Sequence, residues 1–309
     1  MKLPARARTL LRLVLLVQLA ALLLVAWALW RRGVPAWGAL LAGCGAVALV
    51  RFAINMNNFV MAGRAGSVTP PEFRLDARRR LRMLAEEFGI SMMMTSWHIP
   101  RGRAGMTIHP GSVHAPVLLV HGYGCNSGYW ARLTPLLDRA GISHASVDLE
   151  PVAGSIDDYV PLIEAGVRAL IAATGAERVA IVAHSMGGLA ARAWLRAHGD
   201  ARLARLITLG TPHQGTALAR FGPGENAVQM RRGSAWLRDL AAFETPARRA
   251  RIVSIYTHHD NIVAPQDSGI LAGARNIAFG GVGHVALCAN PRVLAEVLRQ
   301  LPELHDATA

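Results

Sequence analysis

The sequence almost lacks lysine: Lys2 is the only one among its 33 basic side chains, and the rest are arginines spread along the chain. Cysteine is also scarce. Cys44, Cys125 and Cys288 are too few and too scattered for a disulfide framework. Aromatic residues make up only 6%, and no basic stripe is interleaved with them. The formal charge of +13 therefore carries no nucleic-acid module, and no nucleic-acid partner is expected. General arginine bias explains much of the charge, but Arg74, Arg78, Arg79, Arg80 and Arg82 follow an apolar region and would suit anionic lipid headgroups. No metal-ligand spacing appears. His258 and His259 are adjacent, and consecutive residues are badly placed to grip one ion. Neither metal nor cofactor is expected.

Long apolar runs are present. Leu13 to Trp30 contains Gln18 as its only strongly polar member. Eighteen helical residues at 1.5 Å each span roughly 27 Å, close to a bilayer's hydrocarbon core. Lys2, Arg6, Arg8 and Arg12 precede the run, and Trp27 and Trp30 suit an interface. A cleaved signal would have a shorter apolar region and a small-x-small site, so a retained anchor is the better reading. A second run, Ala39 to Val50, is interrupted by Arg51 before "FAINMNNFVMAG", and it completes a helical hairpin if that side chain snorkels to the interface. The sequence "LAGC" ending at Cys44 also matches a lipoprotein box, though behind too long an apolar segment. The expected organisation is a membrane anchor of one or two helices over 1–66, a connecting helix and first strands over 67–113, and a catalytic domain over 114–309. A bacterial inner membrane is the expected location, with membrane lipids as partners. The side holding the catalytic domain is left open.

Beyond the anchor, Glu72 to about Phe88 reads as a surface helix and Ser91 to Ile99 as a strand. Short apolar strands then alternate with amphipathic helices: Pro116 to Val120, His144 to Leu149, Val179 to Ala183, Leu206 to Thr216, Arg251 to Pro265 and Gly273 to Cys288 supply strands. Asp157 to Gly175 and Pro291 to Leu301 supply helices. This alternation indicates an α/β fold with a mostly parallel sheet flanked by helices.

One strand stops abruptly. In "RVAIVAHSMGGLAARAWL" the apolar run gives way to helical spacing with almost no connecting residues, so Ser185 must occupy the bend. Gly187 and Gly188 let other segments approach it. A serine there either caps the helix or presents a nucleophilic hydroxyl above the sheet. The second role needs a base and an orienting carboxylate, in the chain order serine, acid, histidine. Asp260 after "IVSIYTHH" and His284 after "IAFGGVG" occupy those strand ends. His121, His184 and His213 are read as supporting or packing groups. The pair Cys125 and Cys288 each lies four residues after a histidine of this region, which leaves a bridge between them open.

The motifs "VHGYG", "AHSMGG", "LGTPHQGT", "YTHHDNIVAP" and "GVGHVALC" together resemble the α/β-hydrolase superfamily, and within it the bacterial triacylglycerol lipase and esterase group. The resemblance covers about Ala115 to Leu301, with Ala183 in place of the usual first glycine of G-x-S-x-G. It implies an α/β-hydrolase fold and an ester or lipid substrate. Ser185 would be the nucleophile, His284 the general base and Asp260 its orienter, with an oxyanion hole from the backbone N–H groups of Tyr123 and Met186. The modest insert between Gly215 and Ala247 argues against a large lid.

Overall fold

The computed structural model describes residues 6–303, so Lys2 of the basic N-terminus lies outside the described residues. Two helices come first, α1 (Ala7–Trp30) and α2 (Ala36–Arg64). Their 24 and 29 residues make rods of about 36 and 43 Å. Both are long and apolar enough to cross a membrane. Outward-facing Leu16, Leu24 and Trp27 remain exposed. The two helices pack closely where Gly43 meets the Leu22 carbonyl; a Cβ at Gly43 would stand 2.6 Å from that oxygen. α2 runs straight through Arg51, and the guanidinium donates to the hydroxyls of Thr95 and Ser96.

The helix α3 (Ala77–Met93) starts later than the charge pattern suggested, where the Asp76 carboxylate accepts the Arg79 N–H at 2.7 Å. Glu72 sits outside it, in a 3-10 turn from Pro71 to Phe73. The expected strand at Ser91 to Ile99 is wrong. That segment finishes α3, passes through a π-helical turn (Met94–His98) and enters the single-turn α4 (Ile99–Arg101). Three unbranched methionines are good helix formers. Met83, Glu87 and Met94 are buried at helical spacing, so the stripe facing the core runs on past residue 90.

The remaining elements, in chain order, are β1 (Met106–Thr107), β2 (Val117–Val120), α5 (Thr134–Arg139), β3 (His144–Val147), α6 (Val160–Thr174) and β4 (Val179–His184). After them come α7 (Met186–His198), β5 (Leu203–Leu209), the small helices α8 (Glu225–Gln229), α9 (Ala235–Ala242) and α10 (Pro246–Ala250), β6 (Ile252–Thr257), β7 (Arg275–Phe279) and α11 (Pro291–Gln300). The strand order is β1-β3-β2-β4-β5-β6-β7, with only β1 antiparallel. Alternation along the central strands feeds two cores. Leu118, Val120, Val179 and Ile181 face α6 and α7, whereas Val117, Leu119, Ala180 and Val182 face Trp130, α5 and α11. Burial on both faces explains the near-continuous apolar strands.

Glu164 on α6 ties the first layer together. Its carboxylate accepts from Arg202 at 2.9 and 3.0 Å and from the Trp194 indole at 2.9 Å, with Arg168 alongside. Burial opposes its charge, but these donors win and hold the group at about 2, below the ordinary 4.5. A carboxylate depressed in the folded state adds stability above its unfolded pKa and loses it as pH falls toward the folded one. A Glu164→Gln variant should therefore melt below the wild type at pH 6, and the gap should narrow as pH falls from about 4.5 toward 3, as thermal melts in detergent would record.

Candidate active site

Ser185 joins β4 to α7 with φ 54° and ψ −125°. Among the described residues it is the only non-glycine with positive φ. The turn is pinned from several sides. Its N–H donates to Leu209 O at 2.8 Å, and its carbonyl accepts from Gly188 N at 3.0 Å and from the Thr211 hydroxyl at 2.9 Å. A Cβ on Gly187 would lie 2.3 Å from the His121 carbonyl, and one on Gly188 would lie 2.1 Å from the Thr211 hydroxyl. These close approaches are the ones the glycine pair suggested.

Asp260 follows β6 and His284 follows β7. The Asp260 Oδ1 accepts the N–H groups of Ile262 at 2.8 Å and Val263 at 2.7 Å. That leaves Oδ2 to accept from His284 Nδ1 at 2.8 Å, both residues being buried. The His284 N–H in turn donates to Asn261 Oδ1 at 3.0 Å. Burial works against charging the imidazole, but the Asp260 charge and hydrogen bond outweigh it and raise His284 above its ordinary value. The ring packs 4.6 Å from that of His184, the residue just before Ser185. Thus Ser185, Asp260 and His284 stand just past the carboxyl ends of β4, β6 and β7, with a direct hydrogen bond between the last two.

Met186 is the first residue of α7, so its N–H has no intrahelical partner and sits at the positive end of the helix dipole. Tyr123 lies beyond β2, beside Gly122, whose added Cβ would be 2.9 Å from that of Ser185. The Tyr123 hydroxyl donates to Pro223 O at 2.7 Å and ties this loop to the insert.

The other histidines of the region support it. His121 donates from Nδ1 to Gly122 O at 2.8 Å and accepts the Leu149 N–H on Nε2 at 2.8 Å, which fixes a neutral tautomer. His184 lies between the Tyr129 and His284 rings, and burial together with nearby His284 pushes it well below its ordinary value. His213 accepts from Arg192 at 3.2 Å and reaches the Thr208 and Ser254 hydroxyls. Cys125 and Cys288 stay free thiols, and burial pushes Cys125 up to about 12.

A cavity of about 570 Å³ opens beside Ser185. Leu218, Phe221, Met230, Ile262 and Val263 make it apolar, so the insert lines it as a small helical cap. Asn57, Asn58 and Met61 of α2 form another part of the wall. Sequence reasoning missed that contribution, because nothing in a helix's own pattern names its distant neighbour. It also missed Glu87, a fully buried carboxylate of α3 beside His284. The signal was a charged residue on the apolar stripe of a helix. Finally, His109, Asp138 and His144 bring ligand atoms within 4.8 Å of one another at the opposite end of the sheet. Separated in sequence, they escape any spacing rule. His109 Nε2 lies 3.1 Å from Asp138 Oδ1.

Residues 115–223 match a family model described as the alpha/beta hydrolase fold. A triacylglycerol lipase of Burkholderia plantarii is 33% identical over 141 residues, which are 39% of this chain and 38% of the lipase. Another, of Pseudarthrobacter phenanthrenivorans, is 33% identical over 117 residues, 34% of this chain and 35% of that protein. The chain thus spans little more than a third of the length of these curated relatives. Among solved structures, the mature Bacillus licheniformis lipase BlEst2 superimposes with a TM-score of 0.57 at 20% identity, covering 65% of this chain and 98% of its own. Aspergillus fumigatus lipase B gives 0.55 at 18% identity, covering 62% and 54%.

The His284 geometry sets a titration. Its imidazole should lose its proton above the ordinary 6.5, and in Asp260→Asn, where burial acts unopposed by that charge, below 6.5. Proton NMR of the ring across pH 5 to 9 reads both values.

Proposed function

We propose that this chain, which has the α/β-hydrolase fold and similarity to lipases and esterases, is a serine hydrolase of carboxylic esters, most of all of lipid-like acyl esters. The observation that carries the reading is the buried Asp260–His284 hydrogen bond of 2.8 Å beside a serine held at positive φ.

In the proposed mechanism Ser185 Oγ attacks the ester carbonyl carbon while His284 Nε2 takes the hydroxyl proton. Nδ1 is already engaged by Asp260, which fixes the tautomer and stabilises the imidazolium that forms. The carbonyl oxygen becomes an oxyanion and accepts from the backbone N–H groups of Tyr123 and Met186. Each such donor is worth about 3 kcal/mol in the transition state. His284 then gives its proton to the leaving alcohol oxygen as the C–O bond breaks. Water, deprotonated by the same imidazole, attacks the acyl-enzyme, and the second tetrahedral intermediate collapses to acid and free Ser185.

The apolar cavity supports an acyl chain as the group bound. Its α2 wall supports a substrate taken at a membrane, because α1 and α2 have the length and composition of an anchor. Arg51, bonded to Thr95 and Ser96, would then mark the edge of the hydrocarbon, with Asn57, Asn58 and Met61 one to three turns beyond it.

A fluorophosphonate probe should label the detergent-solubilised protein, and Ser185→Ala should abolish the label and lower kcat by roughly 10⁶-fold. Labelling that survives the substitution would refute the nucleophile. Across a series of nitrophenyl esters, kcat/KM should peak at medium or long acyl chains; a peak at acetate would instead favour small soluble esters.

A further inference from the structure

We infer that Glu87 is a positioning residue for His284: a carboxylate supplied by α3 that clamps the backbone on both sides of the base. The inference rests on the hydrolase reading above.

Residues Val285–Cys288 form a 3-10 turn that starts at His284, and no side chain of that loop caps it. The first N–H groups of such a turn need an outside acceptor. Glu87 provides it in bidentate fashion: Oε1 accepts from Val285 N at 3.0 Å and Oε2 from Ala286 N at 2.8 Å. On the other side of His284, Gly283 lies against the same carboxylate, and a Cβ there would be 2.5 Å from it. Only glycine permits that approach. Neighbouring Glu86 accepts from the Asn290 side chain at 2.8 Å, so two consecutive acids hold the whole 285–290 segment.

The carboxylate also has an electrostatic part. The titratable groups that face His284 are the carboxylates of Asp260 and Glu87 and the neutral ring of His184. Glu87 itself is raised by burial and by Asp260, while its two N–H donors favour the charged form, and Tyr129 and Cys288 lie beside it. A negative charge here favours the imidazolium that forms when Ser185 is deprotonated.

The test is Glu87→Gln, which keeps the shape but turns one of the two acceptors into an NH₂ facing an N–H. The inference expects kcat to fall about 100-fold, the size of effect a misplaced base produces, with KM within about twofold of wild type. The acid limb of kcat/KM should move to lower pH, because His284 loses a stabilising charge and its imidazolium gives up its proton more easily. Titration with a fluorophosphonate should still count one reactive Ser185 per chain. A wild-type kcat, or a loss that matches a smaller number of titratable sites, would overturn the inference. If Glu87→Gln does not fold, Gly283→Ala decides the matter, since its methyl displaces the carboxylate without removing it; wild-type kcat there overturns the inference equally. If the wild type itself takes no phosphonate at Ser185, the hydrolase reading fails. The clamp is then judged from the His284 ring titration by NMR, which needs no turnover: Glu87→Gln should lower it, and an unchanged value sinks the clamp.

Discussion

The strained turn at Ser185 is the constraint around which the rest is arranged. A side-chain-bearing residue at φ 54° costs about 1–3 kcal/mol, and it persists only where its surroundings over-determine it. Here they do. The end of β5 accepts its N–H, Thr211 and the first turn of α7 donate to its carbonyl, and glycines at 122, 187 and 188 bring the end of β2 and the Thr211 side chain within reach. Apart from the Gly188 N–H, none of these contacts is local in sequence, and the others need the sheet order that sets β4 between β2 and β5.

The N-terminal helices are part of the site as well as an appendage to it. Ser67, just after α2, donates its N–H to the Gln266 side chain at 3.1 Å, and Gln266 donates to the Asp260 carbonyl at 2.9 Å. Glu87 holds the backbone just after His284, and α2 walls the cavity. Meanwhile α1 docks by its first turns, through Arg6 to Glu150 at 3.4 Å and Arg12 to the Pro100 carbonyl at 3.1 Å. The Asp260 loop, the His284 loop and the cavity are all braced from upstream.

How much of this was legible depended on whether the signal was periodic or positional. The buried strands announced themselves as apolar runs, and Ser185, Asp260 and His284 each stood just past one, so their placement at strand ends followed from the topology. The segment from Ser91 to Ile99 misled because methionine is apolar without favouring the strand, and the helical stripe it continued was broken by a buried glutamate. Glu87 showed only as a charge on that stripe, because its acceptor role is defined by N–H groups 198 and 199 positions away. Arg51 interrupts the second apolar run in the same way, with partners 44 and 45 residues downstream.

That long separation has a consequence for synthesis. Glu87 leaves the ribosome 198 and 199 positions ahead of the N–H groups it accepts, so a chain grown just past Thr211 owns the apolar hairpin and the Ser185 turn while that carboxylate still lacks its partners.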